Sequence, residues 1–356
     1  MAIIGAGNGG VSMGAYMALR GAQVNLYDKF ESAVESIKER GGIDLKGISL
    51  EGYAKFEVVS TSIGEVIKDC SLIMVVTPAF AHLSLAKECA EFIEDGQVIV
   101  LHPGRTGGAL EFYNAVKQIN PEVNFVIAEA QTLIYACRRT GPTEARIMGI
   151  KNKVSVAAIP GKDTEKAVKY LNEYYPQFVP AKSIIETSLM NIGAIFHPLP
   201  TLLNIARIEA SEDFEYYHEG ISKSVSMIMT EMDKERQLVA KAFGVETVSA
   251  VEWMKMVYDT DCENLYDCIQ ANKAYTGISA PKSADTRYLS EDVPMSLTPI
   301  SELGRLSGVS TPYIDMVIEM VSIIHKIDYR KNGRTLERLG IEGLTPAEVI
   351  AFVDHP

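Results

Sequence analysis

A histidine at position 197 interrupts an otherwise apolar stretch, NIGAIFHPLPTLLNIARIE, that covers residues 191–209. Pro198 follows it directly, and Pro200 lies two residues further on. Because proline lacks a backbone N–H and disfavours helical geometry in the residue before it, we expect His197 at an irregular joint, with Pro200 repeating the break. The ring can act as a general acid or base if a partner orients it. Without a partner it is core filler, and both interpretations are open.

A polar stretch at residues 283–299, SADTRYLSEDVPMSLTP, carries groups that could complete such a site. The stretch holds two carboxylates, Glu291 and Asp292. A carboxylate bonded to one ring nitrogen of His197 would fix the tautomer and leave the other nitrogen for proton transfer. Arg287 offers a forked set of donors suited to a substrate carboxylate. The competing interpretation is a solvated loop that ends where a helix begins at Thr298–Pro299.

A second chemical signal is the segment GAGNGG, which follows a three-residue apolar strand at residues 2–4. The spacing matches G-x-G-x-x-G, and the predicted cofactor-binding residues in it are Gly5, Gly7, Asn8, Gly9 and Gly10. Glycines permit the tight turn and the close approach of a pyrophosphate, and the following helix offers free N–H groups to the phosphates. The pattern therefore predicts a dinucleotide site.

The strand after this helix ends at Asp28, 18 residues beyond Gly10. A carboxylate at this position accepts hydrogen bonds from the adenosine ribose and repels a 2′-phosphate. Asp28 therefore favours NAD over NADP as the cofactor, although Lys29 beside it keeps NADP possible.

Apolar strands alternate with helical stretches through the rest of the first half, including KFEVVS, SLIMVVTPAF, QVIVLHPG and KVSVAAIPG. Such alternation predicts a parallel sheet, whose ligands lie beyond the carboxyl ends of the strands. Thr77, Pro78 and Gly104 are therefore predicted to contact the cofactor, and Thr106 to cap the next helix. A plain turn is the alternative for the glycine-rich loop.

The second half has helical periodicity, including a long amphipathic pattern over residues 220–243 and a helix start at Thr311–Pro312. The expected architecture is an α/β Rossmann-type domain at residues 1–183 followed by an all-α domain at residues 184–356. The helical domain is expected to carry the substrate and catalytic groups.

Composition narrows the possible partners. The net charge of −12 argues against nucleic acid and anionic membranes, and no apolar run is long enough for a membrane span. The five cysteines form no CxxC pair, and no zinc-ligand cluster is visible. We therefore expect no metal, no disulfide, and a cytoplasmic protein without a signal peptide.

Motifs along nearly the whole chain resemble the opine dehydrogenases, the octopine and nopaline dehydrogenase group, and in particular its bacterial N-(1-D-carboxyethyl)-L-norvaline dehydrogenase branch. The matching stretches include GAGNGG, HPGRTGGALEF, HPLPTLLNIAR, TRYLSEDVP and GRTLERLGIEGLT. The pair HPLPTLLN and RYLSEDVP is specific, because ketopantoate reductases and glycerol-3-phosphate dehydrogenases share only the first domain. One departure is Ser296, which stands where the family usually has glycine in EDVPxGL.

The resemblance implies a reductive condensation, in which an L-amino acid joins a 2-oxo acid such as pyruvate and NAD(P)H reduces the imine. It implies that His197 is the general acid and base, that Asp292 orients it, and that Arg287 binds substrate. Cys137 and Asn204 are further predicted substrate contacts. A homodimer formed through the helical domain is also expected.

Two other functions stay open from the sequence. One is reduction of a 2-oxo acid, as in ketopantoate reductases, without an amine substrate. The other is a non-catalytic NAD(H)-binding sensor, against which the joint presence of His197, Asp292 and Arg287 argues.

Overall fold

The computed structural model describes residues 1–48, 50–258 and 261–356, which form two compact units. The first unit comprises Met1–Thr187 together with Ala351–Pro356, and the second comprises Ser188–Ile350. The predicted boundary at residue 183 thus lies four residues before the observed one. The assignment of the last six residues to the helical domain is wrong, because they pack in the first unit: Phe352 contacts the ring of Tyr113 edge-on.

The first unit is built on a sheet of eight strands in the order β12-β11-β8-β7-β6-β1-β2-β5. Pairing is parallel except between β11 and β8, which run antiparallel. The strands of this sheet are β1 (Ala2–Ile4), β2 (Asn25–Tyr27), β5 (Val58–Ser60), β6 (Leu72–Val75), β7 (Val98–Leu101), β8 (Val126–Ala130), β11 (Val154–Ile159) and β12 (Phe178–Pro180).

A second sheet of four strands, in the order β4-β3-β10-β9, was not predicted. Its strands are β3 (Gly42–Gly47), β4 (Gly52–Lys55), β9 (Tyr135–Gly141) and β10 (Glu144–Ile150). The segment KFEVVS, predicted as one strand, contributes Lys55 to β4 and residues 58–60 to β5, so this prediction is wrong. The chain leaves β4 and enters β5 within three residues, and no turn residue marks the change. The alternation of apolar residues therefore did not show that the segment belongs to two different strands.

The helices of the first unit cover the faces of the large sheet and connect its strands. They are α1 (Asn8–Leu19), α2 (Glu31–Arg40), α3 (Ile63–Ile67), α4 (His82–Cys89), α5 (Gly108–Ile119) and α6 (Thr164–Asn172), with 3-10 turns at Ala79–Ala81 and Gly161–Asp163. Thr106 does not occupy the N-cap position of helix α5, contrary to the prediction. Gly107 occupies the N-cap position with φ of +75°, a conformation that favours glycine.

The second unit is helical throughout the described ranges, apart from one isolated bridge between Glu215 and Ser279. Its helices begin with α7 (Ile184–Leu189), which starts in the first unit, and continue with α8 (Gly193–Phe196), α9 (Pro198–Leu203), α10 (Ile205–Glu209), α11 (Lys223–Ala242), α12 (Ala250–Tyr258), α13 (Leu265–Ala271), α14 (Arg287–Ser290), α15 (Thr298–Ser307), α16 (Pro312–His325), α17 (Tyr329–Asn332), α18 (Leu336–Leu339) and α19 (Pro346–Asp354). A 3-10 turn covers Lys273–Tyr275 and a π-helical segment covers Val293–Leu297. None of the helices in the described ranges is long and apolar enough to cross a membrane.

The expectation of five unpaired cysteines is wrong. Cys262 and Cys268 form a disulfide, with their Cα atoms 5.2 Å apart. The side chain of Asn264 accepts the Asp267 N–H at the start of α13, and this turn folds Cys262 back onto the first turn of the helix. The inference from unpaired cysteines to a reducing compartment therefore loses its basis.

Candidate active site

The glycine fingerprint follows β1, and its glycines differ in how closely other atoms approach them. Gly5 has φ of +108°, and a Cβ there would lie 2.8 Å from the carbonyl oxygen of Val76. A Cβ on Gly10 would overlap the Gly5 carbonyl, and one on Gly9 would lie 2.8 Å from Cγ1 of Val76. Gly7, at the N-cap of α1, has no heavy atom within 4 Å of such a position, so its surroundings are open.

The fingerprint loop is tied to strand β9. The N–H of Arg139 donates to Oδ1 of Asn8 at 2.9 Å, and the thiol of Cys137 donates to the Asn8 carbonyl at 3.3 Å. Burial raises the pKa of the Cys137 thiol. Cys137 thus contacts the fingerprint in the first unit, whereas His197 belongs to the second unit. Its role as a substrate contact stays a prediction.

Asp28 follows β2 directly and holds the same loop from the other side. Its carboxylate accepts the N–H of Ala6 at 2.8 Å and the N–H of Phe30 at 3.0 Å. The guanidinium of Arg139 donates to the carbonyl oxygens of Ala6 and Ala33 at 3.0 and 2.8 Å. Sequence reasoning missed Arg139, because only the unpredicted second sheet brings it to this loop.

Thr77 and Pro78 follow the carboxyl end of β6, as predicted for residues beside a dinucleotide. The hydroxyl oxygen of Thr77 is buried and has no hydrogen-bond partner within the described part of the chain. A buried hydroxyl without a partner is a group that a bound ligand can satisfy. Open space at Gly7, the free N–H groups at the start of α1 and this hydroxyl together fit a dinucleotide.

Gly104 has a different reason to be glycine. A Cβ at this position would lie 2.6 Å from the Cβ of Glu129, a fully buried residue on β8. The Glu129 carboxylate accepts the N–H of Ala109 at 2.9 Å and the hydroxyl of Thr187 at 2.8 Å. Packing against Glu129 accounts for the glycine, so cofactor binding by Gly104 stays a prediction.

In the second unit, His197 connects helices α8 and α9. Its backbone stays in the right-handed helical region, with φ of −109° and ψ of −55°. Pro198 occupies the first position of α9, and Pro200 lies within its first turn, where a missing N–H costs nothing. A joint lies at His197 as predicted, because α8 ends at Phe196 and α9 begins at Pro198. The expectations that Pro198 takes His197 out of helical geometry and that Pro200 repeats the break are wrong.

The side chains of His197 and Asp292 meet, as the sequence predicted. Nδ1 of His197 lies 2.8 Å from Oδ2 of Asp292, whose side chain is 1% exposed. The His197 side chain is 19% exposed, and its Nε2 makes no hydrogen bond to any of the described residues. A buried carboxylate on Nδ1 fixes the tautomer that presents Nε2 as the working nitrogen.

Two further contacts fix the ring and backbone of His197. The ring of Tyr288 stacks on the imidazole with centroids 4.3 Å apart and planes 13° from parallel. The hydroxyls of Tyr216 and Thr201 donate to the His197 carbonyl at 2.6 and 2.8 Å. Tyr288 was missed, although its position four residues before Asp292, within TRYLSEDVP, could have suggested that the two share one face of a helical turn.

Ser296, which stands where the family usually has glycine, contacts the Asp292 carboxylate. Its hydroxyl accepts from Nδ2 of Asn191 at 2.8 Å and donates to Oδ1 of Asp292 at 3.5 Å. Both Asn191 and Ser296 are buried. The stretch at residues 283–299 is consequently solvated only in its first part, because residues 291–299 are buried. The helix start at Thr298 is present as the competing interpretation expected.

Arg287 is engaged by a neighbouring carboxylate. Its Nε and Nη2 both donate to Oε2 of Glu291, at 2.7 and 2.5 Å, and Glu291 is buried. The Arg287 side chain is nevertheless 61% exposed. Its guanidinium therefore presents its remaining edge to solvent, and its substrate contact stays a prediction.

Asn204 does not offer its amide to a ligand, contrary to the prediction. Its Nδ2 donates to the carbonyl oxygens of Pro200 and Gly220 at 2.8 and 2.7 Å, and the residue is buried. Both amide hydrogens are used to join the end of α9 to the segment before α11. Asn204 has a structural role in this conformation.

Comparison with known proteins decides the family. Residues 180–325 match the family described as NAD/NADP octopine/nopaline dehydrogenase, alpha-helical domain, and residues 1–160 match the ketopantoate reductase PanE/ApbA family. The chain is 40% identical to an opine dehydrogenase of Arthrobacter sp. (strain 1C), covering 99% of this chain and 98% of the relative. The chain belongs to the opine dehydrogenase family.

More distant relatives share the full length. The protein named ocs of Agrobacterium tumefaciens (strain Ach5) is 23% identical, with 96% of each chain covered. A solved structure of octopine dehydrogenase with NADH and L-arginine superimposes with a TM-score of 0.85 at 20% identity, covering 98% of this chain and 97% of the other. The predicted family and the predicted α/β plus all-α architecture are thus confirmed.

As an opine dehydrogenase, the chain is an NAD(P)-dependent oxidoreductase that acts on the CH–NH group of its donor. The two sets of residues described above accordingly have separate tasks. The fingerprint, Asp28 and Thr77 fit the dinucleotide, and the His197–Asp292 pair has the geometry of an acid–base group in the helical unit.

Proposed function

We propose that this opine dehydrogenase joins an L-amino acid to a 2-oxo acid such as pyruvate and reduces the resulting imine to an N-(1-carboxyalkyl)amino acid. The contact between Nδ1 of His197 and the buried Asp292 carboxylate, with Nε2 left without a partner among the described residues, carries this proposal. Condensation forms a C=N bond and releases water. Reduction then adds a hydride to carbon, while the nitrogen ends as a secondary amine.

Bound NAD(P)H supplies the hydride. In the condensation, the two N–H protons that the amine loses leave with the carbonyl oxygen as water. In the reductive direction Nε2 of His197 then gives the proton that the imine nitrogen gains as hydride reaches carbon, and in the oxidative direction it accepts that proton back from the secondary amine. Asp292 keeps its hydrogen bond to Nδ1 throughout and so holds the ring in place while Nε2 takes or gives the proton. The stacked ring of Tyr288 holds the imidazole plane during both transfers.

Binding of the substrate carboxylates is assigned to Arg287. The protein carries a net charge of −12, so two anionic substrates require a local cation. Arg287 is largely exposed, and Glu291 occupies only its Nε–Nη2 edge. The Nη1 side of the guanidinium is thus the edge proposed to bind a carboxylate.

The proposed cofactor preference is NAD. Asp28 stands at the end of β2 with both carboxylate oxygens already near backbone N–H groups, which fixes its position. A fixed carboxylate accepts hydrogen bonds from ribose hydroxyls and repels a 2′-phosphate. The guanidinium of Arg139 on β9 is bonded to backbone carbonyl oxygens of the loop rather than offered to a phosphate.

A screen of NADH oxidation tests the proposed function. Pyruvate is combined with each common amino acid in turn, and products are identified by mass spectrometry. The proposal expects oxidation that requires both substrates and a product mass equal to the condensed, reduced pair. Oxidation with pyruvate alone, unaffected by amino acids, would indicate a 2-oxo acid reductase, and tight NADH binding without turnover would indicate a sensor.

A further inference from the structure

A cavity lies at the edge of the large sheet that is opposite the glycine fingerprint. Its lining includes Gly96 and Asn124, which precede β7 and β8, and Pro160, which follows β11. Because β11 runs antiparallel to β8, the end of β11 and the start of β8 share one edge of the sheet. The fingerprint, Asp28 and Thr77 follow the carboxyl ends of β1, β2 and β6 instead. This cavity, which we name the amino-edge cavity, is therefore separate from the predicted dinucleotide site.

The amino-edge cavity has the size and the apolar floor of a small-molecule site. Its volume is about 520 Å³, and such sites typically measure roughly 300–1,000 Å³. Val123, Phe125 and Val126 line the cavity and are buried. The half-buried ring of Tyr113, which also lines it, stacks on Phe125 with centroids 5.6 Å apart and planes 24° from parallel. The accessible part of the Tyr113 ring thus extends the apolar surface within the cavity.

The charged side chains around the amino-edge cavity are mainly basic, although the chain as a whole has 46 acidic and 34 basic side chains. Lys117, Lys162, Lys166 and His355 line it, against the acidic side chain of Asp163. Lys162 and Lys166 lie four residues apart across the start of α6, a spacing at which like charges repel. Neither ammonium group forms an ion pair or a hydrogen bond with another described residue. Two neighbouring cations without a counterion favour the binding of an anion.

Lys117 places a third cation beside the aromatic ring. Its Nζ donates to the carbonyl oxygens of Pro121 and Val123, both at 2.8 Å, and lies 5.8 Å from the ring centroid of Tyr113. An ammonium group has three N–H donors, so these two hydrogen bonds leave one donor for a ligand. The two carbonyl groups hold the Lys117 side chain in one position. The cavity therefore combines a fixed cation, two exposed cations and an aromatic surface.

We propose that the amino-edge cavity binds a small phosphate monoester that carries a flat ring. The phosphate lies among Lys117, Lys162 and Lys166, and the ring lies against Tyr113 above the apolar floor. A phosphate monoester has a charge of about −1.5 to −2 at neutral pH and three acceptor oxygens, so it can pair with more than one lysine. A carboxylate has one charge and neutralises less of the cluster. The site is independent of the proposed reaction, because none of these residues has been assigned to catalysis or to cofactor binding.

Isothermal titration calorimetry of the full chain tests the site. Saturating NADH is present throughout, so that the dinucleotide site is occupied, and the ionic strength is held constant. The probes are phenyl phosphate, inorganic phosphate and benzoate. Phenyl phosphate is expected to bind about tenfold more tightly than inorganic phosphate, because its ring stacks on an aromatic side chain. It is also expected to bind more tightly than benzoate, which has the ring but carries a single charge.

Substitutions of single lysines assign the binding to the cavity. Lys162→Gln and Lys166→Gln are each expected to weaken phenyl phosphate binding by up to about fivefold, as for exposed ion pairs, and the double variant about tenfold or more. Tyr113→Leu is expected to remove the advantage of phenyl phosphate over inorganic phosphate. Lys169→Gln is the matched control, since it removes the same charge from an exposed position of α6 that does not line the cavity. It is expected to leave the affinity unchanged.

Three results would overturn the proposal. The first is no binding of phenyl phosphate to the wild-type chain up to about 10 mM, an affinity too weak for a specific site. The second is binding that the Lys162→Gln, Lys166→Gln double variant retains in full, which would place the ligand elsewhere. The third is an equal loss in Lys166→Gln and Lys169→Gln, which would mean that overall charge rather than the cavity attracts the anion. Equal affinities for phenyl phosphate and inorganic phosphate would overturn the place given to the ring.

Discussion

The ring of Tyr288 lies flat against the imidazole of His197, with centroids 4.3 Å apart and planes within 13° of parallel. Asp292 meets the same imidazole in its plane, through Nδ1. Burial, together with the Asp292 carboxylate, raises the pKa of the Tyr288 phenol, so this ring is neutral where the enzyme works. The imidazole is thus fixed from its face and from its edge.

Removing the stack should impair catalysis more than binding. An imidazolium gains about 1 kcal/mol from a facing aromatic ring, so Tyr288→Leu should lower kcat about fivefold or more while leaving the KM for NADH unchanged. Tyr288→Phe keeps the ring and should retain most of the wild-type kcat. If Tyr288→Phe loses as much activity as Tyr288→Leu, the hydroxyl rather than the stack matters.

The proposed acid–base role of His197 predicts a large loss of activity when the imidazole is removed. His197→Ala should lower kcat by about 10²–10⁴-fold, because no other group moves the proton. Asp292→Asn should produce a comparable loss, since the amide no longer favours the required tautomer and charge. NADH binding, measured by fluorescence titration, should be unchanged in both variants. Unchanged turnover of His197→Ala would remove the ring from the mechanism.

Ser296 provides a test of the support behind Asp292. Ser296→Gly introduces the residue usual in the family and removes the hydroxyl that links Asn191 to Asp292. Groups that orient an active-site residue through a hydrogen bond typically change rates by about 10-fold or more, and the 3.5 Å distance to Asp292 places Ser296 at the lower end. We expect kcat to fall several-fold with an unchanged KM for NADH. Ser296→Thr, which keeps the hydroxyl, should retain more activity, whereas equal losses in both variants would point to packing.

Asp28 is expected to set the cofactor preference. Asp28→Ala removes the charge that repels a 2′-phosphate and should narrow the ratio of kcat/KM for NADH over NADPH by about 10-fold or more. The carboxylate also accepts the N–H groups of Ala6 and Phe30, so the loop loses support in this variant. Asp28→Asn removes the charge but keeps one side-chain oxygen that can accept an N–H group. It therefore separates the effect of the charge on the cofactor from the loss of support for the loop. A ratio that is unaltered in both variants would mean that another residue sets the preference.

The parts of the site that the sequence predicted are those encoded by local spacing. The fingerprint, the turn after β2 and the joint at His197 depend on glycine, acid and proline at fixed intervals, and these intervals are visible in the chain. The partnership of His197 with Asp292 joins residues 95 positions apart. The polar stretch around residue 292 suggested a carboxylate partner, and the family resemblance singled out Asp292.

The parts that escaped prediction depend on long-range packing. Arg139 reaches the fingerprint because β9 joins a second sheet, and the pairing of β3 with β10 that builds this sheet joins residues about 100 positions apart. Asn204 has a side chain that could bind a ligand, but its amide N–H donates to the carbonyl oxygen of Gly220, which is 16 residues away in sequence. The Cys262–Cys268 disulfide depends on a turn whose geometry composition does not reveal.

The buried histidine at position 102 predicts how stability changes with pH. His102 is 2% exposed, it contacts the ring of Phe178 edge-on, and both ring nitrogens lack a partner within the described part of the chain. Burial lowers the pKa of His102 from 6.5 to about 3. Below pH 6.5 the unfolded chain therefore binds a proton that the folded chain does not.

Acid therefore destabilises the folded protein through His102. Because the unfolded state binds more protons as pH falls from about 6.5 towards 3, this group decreases the free energy of unfolding by up to about 1.4 kcal/mol per pH unit in that range. His102→Phe fills the same space without a titratable group. Between pH 7 and pH 5 it should lose about 2 kcal/mol less stability than the wild-type chain, as measured by denaturant titration at each pH. His355→Gln, at an exposed position, is the control and should follow the wild-type curve. Parallel wild-type and His102→Phe curves would mean that His102 is protonated in the folded protein.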